Sequence, residues 1–149
     1  MAPTSLKELF NPITIGTLTL KNRIVMPAGG LKMADLDGGV TSSNIDHYVE
    51  RAKGGVGLII VGTLAIVARP GSGSMTIHSD EMIPGLSELA ELIQEWGAMA
   101  AAQIVDIGGV VNEAGTLMPQ GANELTVCEI NGIIEGFAAG AVRCGRRRR

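Results

Sequence analysis

An uninterrupted apolar segment, Leu58 to Val61, most constrains what this chain can fold into. It lies inside a strand that we expect over residues 57–63, and such a run is typical of a parallel strand covered on both faces by helices. Apolar residues at helical spacing precede it over 43–53, where Ser43 is the expected N-cap, and follow it over 84–96. The chain therefore predicts a parallel α/β fold.

The same alternation continues on both sides of this unit. A short buried strand feeding a flexible loop is expected at 23–26, and a third strand at 98–105. Thr126 and Glu129 match a capping box and begin a third helix. Its expected core stripe consists of Ile130, Ile133, Ile134, Phe137 and Ala141.

Two parallel α/β architectures compete for this order of elements. A doubly wound nucleotide fold would place Gly-x-Gly-x-x-Gly after its first strand, and the candidate run 71–76 has Thr76 at the third glycine position. A (β/α)8 barrel fits better, although such barrels usually need about 250 residues. Alternation around Gly16 over 13–20 predicts a capping hairpin. We expect a partial TIM barrel, about its first three β/α units.

Composition and charge limit the functional classes. Hydrophobic residues make up 46% and charged residues 18%, so the chain should fold. Four of its 12 basic residues form the run Arg146–Arg149, which leaves an acidic body that disfavours nucleic-acid binding. The longest uncharged apolar stretch, 54–68, is shorter than the roughly 20 residues of a membrane span. We expect a barrel region over 1–142 and a disordered basic tail over 143–149.

The start of the chain and its cysteines indicate a compartment. The first residues carry no apolar segment behind a basic start, so no secretory signal is expected. Cys128 and Cys144 are the two cysteines, too few for a disulfide scaffold. No His, Cys or carboxylate set has metal-ligand spacing. A cytoplasmic protein without a metal site is the expectation.

Several ordered motifs resemble one enzyme family. They are Leu9-Phe10-Asn11-Pro12-Ile13, Leu20-Lys21-Asn22-Arg23-Ile24-Val25-Met26, the run 48–60 (YVERAKGGVGLII), Ser79-Asp80-Glu81, Ile83-Pro84-Gly85, and Gly97-Ala98 followed by Gln103. Together they span about residues 6–137. The chain resembles the N-terminal part of the old yellow enzyme family, the FMN-dependent NAD(P)H:flavin oxidoreductases.

This resemblance implies a cofactor, a reaction and a site. It implies a barrel with FMN at the carboxyl ends of the strands and a hairpin closing the opposite end. It also implies hydride transfer from NAD(P)H to the flavin and then to an activated alkene, a small-molecule substrate. Thr63 would contact the flavin ring and Gln103 its pyrimidine edge. The residues expected to lie along the ring are Met26, Pro27, Ala28 and Gly29.

Departures from the family pattern leave the activity of this chain open. Asp106 stands where relatives have a histidine and Gly109 where they have an arginine. The substrate-binding histidine pair and the proton-donating tyrosine of later strands have no counterpart, so we assign no catalytic residue and expect a truncated chain, inactive alone. The alternatives are a non-enzymatic barrel remnant that self-associates through exposed strand edges, and a weak nucleic-acid binder through Arg146–Arg149.

Overall fold

The structure, a computed structural model, describes residues 6–106, 108, 110–111, 117–118 and 121–145. Its helices are α1 (Lys7–Phe10), α2 (Ser42–Lys53), α3 (Ile83–Glu95) and α4 (Val127–Cys144), with 3-10 turns at Asp80–Met82 and Ala122–Glu124. Its strands are β1 (Ile13–Ile15), β2 (Leu18–Leu20), β3 (Val25–Met26), β4 (Leu58–Ala65), β5 (Met99–Val105), β6 (Val110–Val111) and β7 (Leu117–Met118). In these ranges no helix is long and apolar enough to cross a membrane.

The central element is a parallel sheet in the order β3-β4-β5. Val25 pairs with Leu58, and Leu58 pairs with Met99, so the carboxyl ends of the strands lie at one edge. The predicted parallel α/β order is therefore confirmed. Within the described part of the chain, these strands form an open sheet rather than a closed barrel.

Helices cover only one face of this sheet in the described chain, which corrects the expectation for β4. Ile59 and Val61 are buried in one core with side chains of α2 and α3. Leu58 and Ile60, which alternate with them, are only half-buried. The burial expected for β3 is also wrong, since Val25 is 42% exposed. β3 lies at the edge of the sheet, where β4 is its one neighbouring strand among the described residues.

The N-cap of α2 is Thr41 rather than the expected Ser43. The Thr41 hydroxyl accepts a hydrogen bond from the Asn44 backbone N–H at 3.3 Å, and the Thr41 backbone N–H donates to Asn44 Oδ1 at 3.1 Å. An amide oxygen thus replaces the carboxylate of the usual capping box. The buried residues follow at four-residue spacing as Asn44, Tyr48 and Ala52.

The face of α4 that packs is not its predicted apolar stripe. Thr126 caps the helix and Glu129 completes the capping box, as predicted. Of the stripe, however, Ile133 is half-buried, whereas Ile130, Ile134, Phe137 and Ala141 are exposed. Gly140 is buried instead, and a Cβ there would lie 3.2 Å from Ile77 Cγ2. Glycine allows the helix backbone to approach the isoleucines more closely than a side chain would.

The helix α4 also extends past the expected domain boundary. Arg143 and Cys144 are its last residues, so a disordered tail does not begin at 143. Arg143 Nε donates to Asp80 Oδ1 at 2.8 Å, and Arg143 Nη1 donates to the Ile77 carbonyl at 3.2 Å. The four arginines 146–149 and Gly109 lie outside the described residues.

The predicted hairpin is confirmed and lies at the amino ends of the parallel strands. β1 and β2 pair antiparallel around Gly16, whose φ of +59° lies in the left-handed region that glycine favours. Asn22 Nδ2 donates to the Gly55 carbonyl, just before β4, and Lys21 Nζ donates to the Trp96 carbonyl, just before β5, both at 2.7 Å. The hairpin therefore lies opposite the edge where the expected site residues are.

Candidate flavin-contact site

The expected site residues converge where the parallel strands end. Met26 is the last residue of β3, Thr63 lies near the end of β4, and Gln103 lies near the end of β5. In open α/β sheets, ligands bind outside this carboxyl edge. The topology thus brings residues from three separate segments to a single edge.

Gly62 is the point where these segments meet. A Cβ at Gly62 would lie 3.0 Å from Gln103 Cβ and 3.4 Å from Ala28 Cβ. At Gly30, a Cβ would lie 4.0 Å from Thr63 Oγ1. Since Gly62 carries no side chain, the loop after β3 and the end of β5 can approach β4 closely. The structure therefore brings together Ala28, Thr63 and Gln103.

The polar side chains at this corner are available to a ligand. Gln103 is exposed and Thr63 half-buried, and neither side chain has a hydrogen-bond partner among the described residues. An amide has both a donor and an acceptor, and a hydroxyl can do either. These neutral groups match the mixed donors and acceptors of a flavin pyrimidine edge. They therefore fit that part of the cofactor.

The run 26–29 divides into two parts. The Met26 side chain is partly buried and packs against the core. Pro27 and Gly29 are exposed, and Ala28 is half-buried beside Gly62. The run has no regular secondary structure after Met26, which leaves its backbone open to close approach.

The charge at this corner does not fit a phosphate group. Asp106, directly after β5, is half-buried and acidic, at the position where the resemblance calls for a histidine. A carboxylate repels a phosphate dianion. The residues present at the strand ends thus fit the neutral ring of FMN but not its phosphate.

Tyr48 also belongs to this corner, although it was not among the expected site residues. Its hydroxyl donates to the Gly62 carbonyl at 3.3 Å and accepts from the Gly62 N–H at 3.2 Å. Burial raises the pKa of Tyr48, so the hydroxyl keeps its proton at neutral pH. The one available signal was its position midway between buried Asn44 and Ala52 at helical spacing.

A separate cavity of about 370 Å³ lies on the helical face. Its lining includes Leu86 and Leu89 of α3, Ala100 of β5 and Arg143 of α4, and it does not include Thr63 or Gln103. Throughout the described ranges, no group of three or more His, Cys, Asp and Glu side chains could hold a metal ion.

Comparison with known proteins identifies the class. The NADH:flavin oxidoreductase / NADH oxidase family matches residues 8–130, and this chain belongs to that family. It is 34% identical to the NADH oxidase of Thermoanaerobacter brockii, over 94% of this chain and 24% of that protein. It is 38% identical to the NADPH dehydrogenase of Geobacillus sp. (strain WCH70), over 91% of this chain and 44% of that protein. The chain thus spans less than half of these relatives.

Solved structures agree with the observed topology. Morphinone reductase in complex with tetrahydroNAD aligns with a TM-score of 0.75 and 25% identity, over 93% of this chain and 46% of that chain. Old Yellow Enzyme from Pichia sp. AKU4542 aligns with a TM-score of 0.76 and 18% identity, over 91% and 42%. The resemblance to the old yellow enzyme family is confirmed, and the α/β fold matches part of the barrel of that family.

Proposed function

We propose that this chain supplies the ring-contacting corner of an FMN-dependent oxidoreductase that uses NAD(P)H to reduce an activated alkene. The observation that carries the proposal is a pair of polar side chains, Thr63 and Gln103, at the carboxyl edge beside Gly62, with no hydrogen-bond partner in the part of the chain that the structure describes. FMN, when bound, supplies the acceptance and delivery of hydride. The chain's own part is to bind and orient the ring.

Each residue has a separate part in this proposal. The Gln103 amide donates to and accepts from the pyrimidine edge, and the Thr63 hydroxyl contacts the ring beside it. The backbone of 27–29 lies along the ring, because no side chain at Gly29 obstructs that approach. Asp106 supports a further proposal, that the phosphate is held by groups outside this chain's strand-end corner.

A binding titration tests the ring contact. Quenching of FMN fluorescence on addition of the purified chain measures the Kd. Replacing Gln103 with alanine removes about two hydrogen bonds, and we expect the Kd to rise about tenfold. Gln94→Ala is the matched control, because Gln94 is also exposed but lies on α3. Equal affinities of the Gln103→Ala and Gln94→Ala variants for FMN would contradict the proposed ring contact.

Turnover is a second, separate measurement. We propose that the 149 residues alone do not reduce an enone with NADPH, since they span 24% to 44% of the relatives named NADH oxidase and NADPH dehydrogenase. Steady oxidation of NADPH at 340 nm with an enone and added FMN would contradict this. The FMN titration tests the ring contact whether or not NADPH is oxidised, because it measures binding only.

Self-association is a second candidate role, favoured by one observation. Apolar side chains are exposed on the open side of β3 and on α4, among them Val25 at 42% and Ile134 at 60%. Exposed strand edges and apolar patches favour pairing of copies. Sedimentation velocity over a hundredfold concentration range tests this role, and a single monomer species at every concentration would exclude it.

A further inference from the structure

We propose that Tyr48 is a positioning residue for the flavin-contact corner and acts through the backbone of Gly62. This inference rests on the proposed function. Tyr48 lies on α2 and is 1% exposed, so it touches no ligand itself. Its effect on Thr63 and Gln103 would pass through the peptide groups that its hydroxyl holds.

The hydroxyl occupies a gap in the strand ladder. β4 pairs with β5 through Val61 and Ala102 and resumes at Leu64 and Ile104, with a register shift between them. On the other side of β4, the ladder with β3 ends at Met26 and Ile59. The Gly62 N–H and carbonyl therefore fall where neither strand pairs with them, and the Tyr48 hydroxyl bonds both.

A tyrosine suits this gap for chemical reasons. A phenolic hydroxyl can donate one hydrogen bond and accept another, which matches one carbonyl and one N–H. Its ring is held by burial in the core and by an edge-to-face contact with His47, with centroids 5.2 Å apart. A rigid ring places the hydroxyl with little freedom, so the bonded peptide groups are fixed in turn.

Fixing Gly62 also fixes the site. Irregularities in a strand ladder re-aim the side chains next to them, and Thr63 directly follows Gly62. Gly62 also abuts Gln103 Cβ and Ala28 Cβ. Without the hydroxyl, two buried peptide groups would lose their partners and the segment would shift to regain them. Such a shift would move Thr63 and Gln103 relative to a bound ring.

The first test needs no flavin. Amide exchange and chemical shifts of the chain are measured by NMR for Tyr48→Phe and for Ile93→Val, a control that removes one methylene from the buried core on α3. We expect the Gly62 amide to exchange about tenfold faster in Tyr48→Phe, by loss of one hydrogen bond, and Thr63 and Gln103 resonances to move. Unchanged Gly62 exchange with unmoved Thr63 and Gln103 resonances would overturn the inference.

The second test measures the consequence for FMN. We expect Tyr48→Phe to raise the Kd for FMN about fivefold and to shift the visible absorption bands of the bound flavin, while Ile93→Val changes neither. A wild-type affinity and spectrum in Tyr48→Phe would overturn the inference even if Gly62 exchange changed. If wild type binds no FMN, the proposed function fails, and the NMR experiment alone decides whether Tyr48 positions this corner.

A fluorine-labelled wild-type chain covers the case in which Tyr48→Phe does not fold. The chain has one tyrosine, so growth on 3-fluorotyrosine labels Tyr48 alone and keeps its hydroxyl. We expect the ¹⁹F resonance to shift when FMN binds the labelled wild-type chain, and the FMN concentration that gives half of that shift to rise about tenfold with Gln103→Ala. A resonance that does not respond to bound FMN would overturn the inference.

Discussion

Two glycine-to-alanine substitutions in α4 should have different effects on stability. At Gly132 a Cβ would meet no atom of the described residues within 4 Å apart from its own stretch of helix, so Gly132→Ala should stabilise the chain by the helix-propensity gain of about 0.8–1 kcal/mol. At Gly140 the same gain is opposed, because a Cβ would lie 3.2 Å from Ile77 Cγ2, 3.5 Å from Ile104 Cγ2 and 3.6 Å from Ile66 Cγ2. The comparison isolates packing from propensity.

The packing cost of a side chain at Gly140 follows from the stiffness of its neighbours. All three contact atoms are Cγ2 methyls of isoleucine, which are attached directly to Cβ and are restricted at χ1. Ile77 is also fully buried, so it has little room to move. Overpacking of this kind costs about 1–3 kcal/mol. The helix-propensity gain is the same in both variants and cancels in the comparison. We therefore expect Gly140→Ala to be less stable than Gly132→Ala by the overpacking cost of about 1–3 kcal/mol.

Urea unfolding followed by far-UV circular dichroism measures both variants against wild type. A stability difference of 1 kcal/mol corresponds to about 2–4 °C in Tm for a chain of this size, so thermal melts give a second measurement. Equal slopes with urea concentration would show that only stability has changed. If Gly140→Ala stabilised the chain as much as Gly132→Ala, α4 would not pack through its glycine face.

Three further outcomes are expected. Thr126→Ala removes the N-cap of α4 and should cost about 1 kcal/mol in urea unfolding. Hydrogen bonds from the Thr126 backbone and hydroxyl lower the pKa of Glu129 below 4.5. The stability that ionised Glu129 contributes to the folded chain is therefore present above pH 4.5 and lost as the pH falls through the folded pKa. Glu129→Gln should remove this part of the pH dependence in thermal melts recorded at a series of pH values. Asn22→Ala breaks the hydrogen bonds to the Gly55 carbonyl and the Ile24 N–H, which should lower the free energy of unfolding in urea by about 1–3 kcal/mol. The Kd for FMN should stay unchanged, because Asn22 lies at the end of the sheet opposite the strand-end corner.

Local signals predicted the elements of this fold well. The capping box at Thr126, the turn at Gly16 and the apolar run at 58–61 act through neighbours in sequence, so a single chain carries enough information to locate them. The error at Ser43 has the same local origin. An asparagine at the third position of α2 can complete a capping box with Thr41, although the usual pattern has Glu or Gln there.

Burial was harder to predict because it depends on which neighbours are present. Helical periodicity identifies two faces of α4 but not which of them is covered, and the glycine face packs because isoleucines lie opposite it. For the proposed site, the family resemblance pointed to Thr63 and Gln103, and the structure places both near the ends of neighbouring strands. Tyr48 could not be predicted, because its partners are backbone atoms of Gly62, exposed by a register shift that no residue pattern reveals.

The single tryptophan stands at the far end of the molecule from the strand-end corner. Trp96 precedes β5, its carbonyl accepts from Lys21, and Lys53 Nζ lies 5.6 Å from the centroid of its ring. Gln103 is the seventh residue after Trp96, about 23 Å away along an extended strand. The fluorescence of Trp96 thus provides a native optical probe of hairpin docking. Energy transfer from its indole to FMN bound at the strand-end corner would measure the length of the sheet in solution.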